Sequence, residues 1–253
     1  MTELVQYQQT NRVATITLNR PDALNAINED LMAQLHQVLC RARDDHEADL
    51  VVFRGNGRAF CAGADMKEIR ERTVDEHRRY MHRLQDLTAL LWHMDKPVIA
   101  VIQGYAVGAG CELILNCDLR IATEDARFGF PETTIGAPIT NAGTKTLPAI
   151  IGLGRARQMF YTGEKINAQK AETWGLVNQV VPADKLDEAI SDLSTSLLEK
   201  SQLAMRLNRA AVNFALSATL DEVLAFEARD GMTAYAAGHM DQTRRRGDWS
   251  GDN

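Results

Sequence analysis

The sequence predicts an α/β fold followed by a C-terminal helical module. Short apolar segments typical of strands alternate with segments whose apolar residues recur at helical spacing. The end of the chain shows only the helical spacing. We therefore expect an α/β core over residues 1–195 and a helical module over residues 196–253.

The first half of the core begins with a strand at residues 13–18, where apolar and polar residues alternate. A helix follows Asn28, which is a suitable N-cap residue ahead of leucines at helical spacing. Residues 50–53 are a short buried strand, and residues 76–94 are a helix with one apolar face. Pro97 ends that helix because proline cannot continue it.

The second half of the core continues the same alternation. The predicted strands are residues 98–102, 119–122 and 177–181, and residues 126–131 are predicted to be a small β-like segment. Those with helical patterns are residues 143–151, 155–161, 168–174 and 184–200. Residues 201–237 look helical throughout and form most of the predicted C-terminal module.

Composition restricts the classes of function. The chain has 253 residues, of which 45% are hydrophobic and 25% charged, as in an ordinary globular protein with one sizeable core. Its net charge of −6, without a long basic run, argues against nucleic acid as a partner. The sequence contains no apolar stretch of about 18 residues, so we expect no membrane-spanning helix. The N-terminus shows no apolar signal core.

Cysteine and histidine usage gives no indication of a metal site. The four cysteines show no CxxC pattern and no zinc-type spacing to histidine. Reduced thiols of this kind are typical of a cytoplasmic protein. The six histidines show no pairing that suggests catalysis or metal binding, and no G-x-S-x-G motif supports a serine hydrolase.

The most informative stretch is Gly104 to Asp118, which reads GYAVGAGCELILNCD. It follows a predicted buried strand and has three glycines within seven residues, so it predicts a tight turn and the start of a helix. The unpaired N–H groups of a helix start favour an anionic oxygen. The glycine spacing does not match the GxGxxG dinucleotide fingerprint. Close packing of the turn would explain the glycines but not Glu112 beside an apolar run.

Two further segments could complete a site around Glu112. Glu132 follows the rigid segment Phe128–Pro131, although a glutamate after proline is also common at a helix start. Residues 62–64 are a second run of small residues after a strand. Two such loops could aim their N–H groups at one carbonyl oxygen, as in an oxyanion hole, or could be unrelated turns. Arg20 and Lys67 could contact phosphates or be solvated surface charges.

Taken together, these segments resemble the enoyl-CoA hydratase/isomerase (crotonase) family. The likeness runs in order from about residue 13 to residue 182. The matching segments are Asn19-Arg20-Pro21, Leu24-Asn25-Ala26, residues 59–65, residues 96–100, Gly104 to Asp118, residues 128–132, Thr162-Gly163-Glu164 and residues 168–181.

The resemblance implies a spiral of ββα turns, a C-terminal module used in trimer assembly, and a coenzyme A thioester as substrate. It implies an oxyanion hole formed by the N–H groups of Ala64 and Ala109, with alanine where the family usually has glycine at the second position. It implies Glu112 and Glu132 as the catalytic carboxyl groups. The implied coenzyme A contacts are Ala62, Asp65, Met66 and Lys67, together with Arg20 and Leu24. No permanently bound cofactor is implied.

The chain departs from the family pattern in two places. After the second glutamate the family continues Pro-Gly-Ala-Gly-Gly-Thr, whereas this chain reads Pro138-Ile139-Thr140-Asn141-Ala142-Gly143-Thr144. The polar Thr140 and Asn141 fall near the expected acyl pocket and raise the prospect of a polar acyl chain. The family's C-terminal ending is absent after residue 238, where Arg244-Arg245-Arg246 could supply its basic residues.

The leading prediction is an enoyl-CoA hydratase that assembles as a homotrimer or as a hexamer of two trimers. Adding water to a conjugated C=C bond requires a base for the water and an acid for Cα, which two carboxyl groups can supply. The alternatives on the same scaffold are a double-bond isomerase, a specialised acyl-CoA lyase or hydrolase, and a non-catalytic coenzyme A-binding member. Retention of both glutamates argues against the non-catalytic alternative.

Overall fold

A computed structural model describes residues 3–238, which divide into two compact units. The first unit extends to Leu197 and the second begins at Leu198. The C-terminal departure from the family pattern, including Arg244 to Arg246, lies outside the described residues.

A six-stranded sheet forms the centre of the first unit. Its strands are β1 (Val5–Thr10), β2 (Val13–Leu18), β3 (Leu50–Gly55), β4 (Val98–Ile102), β6 (Leu119–Thr123) and β9 (Gln179–Val181), in the order β1-β2-β3-β4-β6-β9. Only the β1–β2 pair is antiparallel, and the other neighbours are parallel. Every residue of β4 is buried, as expected for a central parallel strand. The predicted α/β class is confirmed, and β1 is a strand that the sequence analysis did not predict.

A second, three-stranded sheet lies in the same unit. It consists of β5 (Tyr105–Val107), β7 (Arg127–Gly129) and β8 (Lys165–Asn167), in the order β5-β7-β8. β5 falls within the glycine-rich stretch, between Gly104 and Gly108, and pairs in parallel with β7. This pairing brings the stretch that contains Glu112 beside the segment that leads into Glu132.

Eight helices of the described chain begin in the first unit. They are α1 (Glu29–Asp44), α2 (Met66–Glu71), α3 (Val74–Trp92), α4 (Ala109–Leu115), α5 (Gly143–Ile151), α6 (Leu153–Thr162), α7 (Ala168–Thr173) and α8 (Leu186–Leu198). Asn28 caps α1 as predicted, because its side chain accepts a hydrogen bond from the Leu31 N–H over 3.0 Å. α3 begins with a capping box formed by Thr73 and Glu76. The short helix α2 was not predicted.

The second unit contains two helices within the described residues, α9 (Gln202–Ala215) and α10 (Leu220–Ala236). The prediction of continuous helix over residues 201–237 is therefore wrong at residues 216–219. Thr219 starts α10 with a capping box to Glu222, and its extended backbone conformation separates α10 from α9. The rings of Phe214 and Phe226 stack 4.7 Å apart between these two helices.

Candidate active site

The glycine-rich stretch turns at Gly104, continues as the short strand β5, turns again at Gly108 and leads into helix α4. Gly104 has a positive φ of 57°, and a Cβ there would lie 1.9 Å from the carbonyl oxygen of Arg58, so only glycine fits. Gly108, also at positive φ, ends β5 and precedes α4. Ala109 is thus the first residue of a helix, where a backbone N–H has no partner within the helix.

The second small-residue loop lies directly against the first. A Cβ on Gly63 would fall 2.8 Å from the Val107 carbonyl oxygen and 3.6 Å from the Ala109 nitrogen. The Ile27 N–H donates a hydrogen bond to the Gly63 carbonyl oxygen, and the Asp65 N–H donates one to the Ile27 carbonyl oxygen. The N–H of Ala64, which lies between these two contacts, takes part in neither. Within residues 3–238, neither the Ala64 nor the Ala109 N–H donates a hydrogen bond. The structure therefore brings together the two loops whose N–H groups the sequence analysis paired.

Glu112 lies in the first turn of α4 and is 1% exposed. Its Oε1 accepts hydrogen bonds from the backbone N–H groups of Asn141 (2.7 Å) and Thr140 (3.3 Å). Its Oε2 accepts one from the side-chain Nδ2 of Asn141 at 3.1 Å. Burial raises the pKa of Glu112, while these donors act in the opposite direction by stabilising its ionised form. The carboxyl group is thus held in one orientation.

Glu132 sits in a short 3-10 helix, Pro131–Ile135, directly after Pro131. Its Oε2 is buried and has no hydrogen-bond partner in the described part of the chain. Burial raises the pKa of Glu132 to about 7, and the nearby charge of Glu112 adds to this shift. The two carboxyl groups therefore differ in their hydrogen bonding, because Glu112 accepts several hydrogen bonds and Glu132 Oε2 accepts none.

One cavity of about 470 Å³ joins all of these groups. The predicted site residues that line it are Ala62, Ala64, Met66, Ala109, Glu112 and Glu132. A cavity of this size, with an apolar wall and a few polar groups, is typical of a small-molecule site.

Helices α2 and α3 supply a wall of the cavity that the sequence analysis did not assign. It is formed by Ile69, His77, Tyr80, Met81 and Leu84. Tyr80 and Leu84 belong to the apolar helix face that the sequence predicted. The helical spacing of apolar residues is the same for a face that packs on the core and for a face that lines a cavity, so the sequence could not distinguish the two.

The remaining predicted coenzyme A contacts lie next to the small-residue loops. Arg20 forms an ion pair with Asp65, with Nη1 and Oδ2 2.7 Å apart. Asp65 also caps α2 by accepting a hydrogen bond from the Lys67 N–H. The Leu24 carbonyl accepts a hydrogen bond from the Ala62 N–H, and the side chain of Lys67 is exposed. Arg20 and Asp65 therefore have structural partners of their own, whereas Lys67 projects from the surface.

Thr140 and Asn141, the departure noted in the sequence, line the cavity and contact Glu112. The carbonyl oxygen of Thr140 accepts a hydrogen bond from Gln85 Nε2 at 3.0 Å, which ties this loop to α3. A Cβ on Gly143 would approach Glu112 Oε1 to 3.0 Å. The loop therefore fits closely around the Glu112 carboxylate.

The described residues contain neither a candidate metal site nor a candidate membrane-spanning helix. Residues 3–238 contain no group of three or more His, Cys, Asp and Glu side chains arranged to hold a metal ion. Among the helices of the same range, none has the length and apolar character needed to cross a membrane.

Comparison with known proteins identifies the same family as the motifs. The model of the enoyl-CoA hydratase/isomerase family matches residues 8–244. The chain is 35% identical to a crotonyl-CoA hydratase of Syntrophomonas wolfei, over 92% of this chain and 95% of that protein. It is 39% identical to a 2,3-dehydroadipyl-CoA hydratase of Escherichia coli, over 94% and 91% of the two chains.

A solved structure confirms the fold expected from the resemblance. The crystal structure of an enoyl-CoA hydratase from Bacillus anthracis superimposes with a TM-score of 0.87 at 31% identity. The match covers 93% of this chain and 96% of that one. Because the likeness extends over nearly the whole of both chains, it applies to the complete fold and not to one motif.

Proposed function

The chain belongs to the enoyl-CoA hydratase/isomerase family, and from this premise we propose that it is an enoyl-CoA hydratase. It adds water reversibly to a trans-2-enoyl-CoA thioester and gives a 3-hydroxyacyl-CoA. The observation that carries the proposal is that Glu112 and Glu132 line one cavity beside the unpaired N–H groups of Ala64 and Ala109. Two carboxyl groups can supply the base and the acid for adding water to a conjugated thioester, and two N–H donors can stabilise the oxyanion that develops on its carbonyl oxygen.

The N–H groups of Ala64 and Ala109 form the oxyanion hole. They donate to the thioester carbonyl oxygen, which gains negative charge as water attacks Cβ. Ala109 is absent from the residues with positive φ, so alanine fits its backbone conformation without strain. The alanine at this position therefore supplies the same N–H group as the glycine usual in the family.

The different surroundings of the two glutamates assign their roles. Glu112, with donors at both of its oxygens, is the base that takes a proton from the attacking water. Glu132, whose Oε2 lacks a donor and whose pKa is raised by burial, holds the proton that it delivers to Cα. The O–Cβ bond forms, the water loses one proton to Glu112, and Cα gains one from Glu132. The proton then passes between the coupled pair, which restores the starting state.

The acyl-CoA substrate enters between the small-residue loops and α2. Ala62, Met66 and Lys67 contact coenzyme A, and the Arg20–Asp65 ion pair together with Leu24 shapes the same surface. Coenzyme A is part of the substrate, and the enzyme needs no permanently bound cofactor. The apolar side chains of Ile69, Met81 and Leu84 on the cavity wall favour an apolar acyl chain.

Assembly and location are further parts of the proposal. We expect the helical second unit to build a homotrimer or a hexamer of two trimers, and sedimentation equilibrium of the purified protein measures which state forms. The four cysteines are free thiols, which supports a reducing cytoplasmic location.

Crotonyl-CoA tests the proposed activity. The purified enzyme should remove the ultraviolet absorbance of the conjugated thioester and form 3-hydroxybutyryl-CoA. Failure to hydrate crotonyl-CoA and longer 2-enoyl-CoA substrates would overturn the proposal. Migration of the double bond without incorporation of water would favour an isomerase instead.

A further inference from the structure

Asn141 donates hydrogen bonds to both oxygens of Glu112 from a buried position. Its backbone N–H donates to Oε1 over 2.7 Å, and its side-chain Nδ2 donates to Oε2 over 3.1 Å. The residue is 2% exposed and lines the same cavity as the carboxylate. Because one residue contacts both oxygens, the carboxylate cannot rotate without weakening at least one of these hydrogen bonds.

The side-chain contact is a feature of this chain and not of the family pattern. The pattern Pro-Gly-Ala-Gly-Gly-Thr has no side chain that donates a hydrogen bond before its threonine, whereas Asn141 brings an amide into the same segment. Thr140 and Gly143 also stabilise ionised Glu112, but through their backbone N–H groups, which any residue except proline offers. Asn141 therefore adds a donor that the backbone of the loop does not supply.

The loop has a costly backbone conformation beside this contact. Ala142 has a φ of 61°, in the left-handed region that residues with a side chain rarely adopt. On the other side of Asn141, the carbonyl oxygen of Thr140 accepts a hydrogen bond from Gln85 Nε2 over 3.0 Å, which ties the loop to α3. A strained residue persists only where its surroundings hold it in place, and such residues concentrate at functional sites. The loop is thus held on both sides of Asn141.

Glu112 depends on hydrogen-bond donors for its ionised form. Burial disfavours its charge, and no lysine or arginine is among the described residues that line the cavity. The titratable and charged groups around it are Glu132, Cys111, His77 and Tyr80 near the cavity, exposed Lys145 on α5 and Tyr105 on β5, and Arg120, which binds carbonyls at the opposite end of α4. A dipolar donor at Oε2 therefore has a large part in stabilising the carboxylate.

We propose that Asn141 is a positioning residue: its side chain and backbone N–H hold both oxygens of Glu112 and keep this glutamate as the ionised, proton-accepting member of the carboxyl pair. The inference rests on the proposed hydratase function. Asn141 acts through Glu112 and takes up no proton itself. Because Glu132 Oε2 has no such donor in the described part of the chain, the pair shares its one proton unequally. The proton stays on Glu132, from which Cα receives it.

The test measures crotonyl-CoA hydration by N141A and N141D between pH 5 and 9. N141A removes Nδ2 but keeps the backbone N–H, so we expect kcat at the pH optimum to fall about tenfold while KM stays within about twofold. The loss should grow as the pH falls, because Glu112 without this donor takes up a proton more readily. N141D keeps the size of the side chain but places a carboxyl group beside Glu112, so it should move the acid limb of the kcat–pH profile further to higher pH.

Carbon-13 NMR of the glutamate carboxyl groups follows the same ionisation without turnover. The signal of Glu112 is assigned by its loss in E112Q. The pKa of Glu112 should be higher in N141A than in the wild type, and higher still in N141D, because the donor is first removed and then replaced by a second carboxyl group. An unchanged pKa of Glu112 in both variants would overturn the inference.

The matched control is N116A. Asn116 is buried at the end of the same helix, and its Nδ2 donates to the backbone carbonyl of Glu112 over 2.8 Å instead of to the carboxylate. N116A should lower the melting temperature but leave the acid limb and the pKa of Glu112 in place. An equal shift of the acid limb in N116A would overturn the inference, since general loosening of α4 would explain it. Melting curves of the Asn141 variants verify that they fold.

The outcomes separate the inference from the function on which it rests. A wild-type enzyme that does not hydrate enoyl-CoA overturns the proposed function and, with it, the role of Asn141 in catalysis. An active wild-type enzyme whose N141A variant keeps its kcat and its acid limb overturns the inference alone. So does a loss that appears only in KM, because Asn141 would then serve substrate binding and not Glu112.

Discussion

A Cβ placed on Gly108 would lie 3.0 Å from Oε1 of Glu132. The backbone just before the proposed oxyanion donor Ala109 thus lies beside one of the two proposed catalytic carboxyl groups, with too little space between them for a side chain. Gly108 also has a φ of 54°, which side chains rarely adopt. The glycine permits both the turn and the position of the carboxyl group.

We predict that Gly108→Ala lowers kcat about 100-fold, because the new methyl group displaces Glu132 and strains the turn that carries the Ala109 N–H. Steady-state hydration of crotonyl-CoA measures the effect. Gly154→Ala is the control, since a Cβ at Gly154 meets no atom within 4 Å, and this variant should match the wild type. A fully active Gly108→Ala enzyme would show that the contact has no catalytic consequence.

The pH dependence of kcat/KM should show a fall at about pH 7. Glu132 must carry a proton to act as the acid, and burial together with the charge of Glu112 raises its pKa to about 7. Activity is therefore present below that pH and is lost as Glu132 ionises above it. Measurement between pH 5 and 9 with crotonyl-CoA checks this. A profile that stays flat from pH 6 to 9 would contradict the assignment of Glu132 as the acid.

Glu132→Gln should melt at a higher temperature than the wild type at pH 8, although it is inactive. The pKa of Glu132 is higher in the folded than in the unfolded state, so the wild type loses stability as pH rises through about 7. Glutamine has no charge to bury, so the advantage should shrink as the pH falls to 5, towards the ordinary pKa of a glutamate. Thermal melts at the two pH values test this, with the exposed Glu188→Gln as control. Equal differences at both pH values would exclude ionisation of Glu132 as the cause.

Lys67→Ala should raise KM for crotonyl-CoA about tenfold and leave kcat unchanged. Its exposed ammonium group is proposed to contact a phosphate of coenzyme A, which binds substrate and transition state equally. The effect should shrink as salt is added, because the contact is electrostatic. Lys185→Ala, which removes a surface charge paired with Glu188, should change neither constant. A drop in kcat at constant KM would instead place Lys67 among the groups that act on the transition state.

The sequence was sufficient for the features that depend on local physics. Asn28 as an N-cap, the helix over Gly143–Ile151 and the glycine-rich turn before Glu112 were all predicted, because each depends on neighbouring residues. β1 was not predicted, since only its pairing with β2 reveals that a largely polar segment is a strand. The break between α9 and α10 had a usable signal in the capping pair Thr219 and Glu222.

The candidate site was predictable in part for the same reason. Both glutamates and both small-residue loops were identified from motifs, and the structure places them at one cavity. The wall that includes Ile69 and His77 could not be identified, because it depends on how α2 and α3 pack. Asn141 was noted only as a departure from the family pattern. Its contact with Glu112 joins residues 29 positions apart and required the folded chain.

The central claim is that Glu112 and Glu132 act together to hydrate an enoyl thioester. Its most direct test is the rate of crotonyl-CoA hydration by Glu112→Gln and Glu132→Gln, each compared with the wild type and with Glu188→Gln. Glutamine keeps the size of the side chain but cannot transfer a proton, so each active-site variant should lose about 10²- to 10⁴-fold in kcat. The Glu188 variant should keep full activity. Wild-type turnover by either active-site variant would contradict the two-carboxylate mechanism.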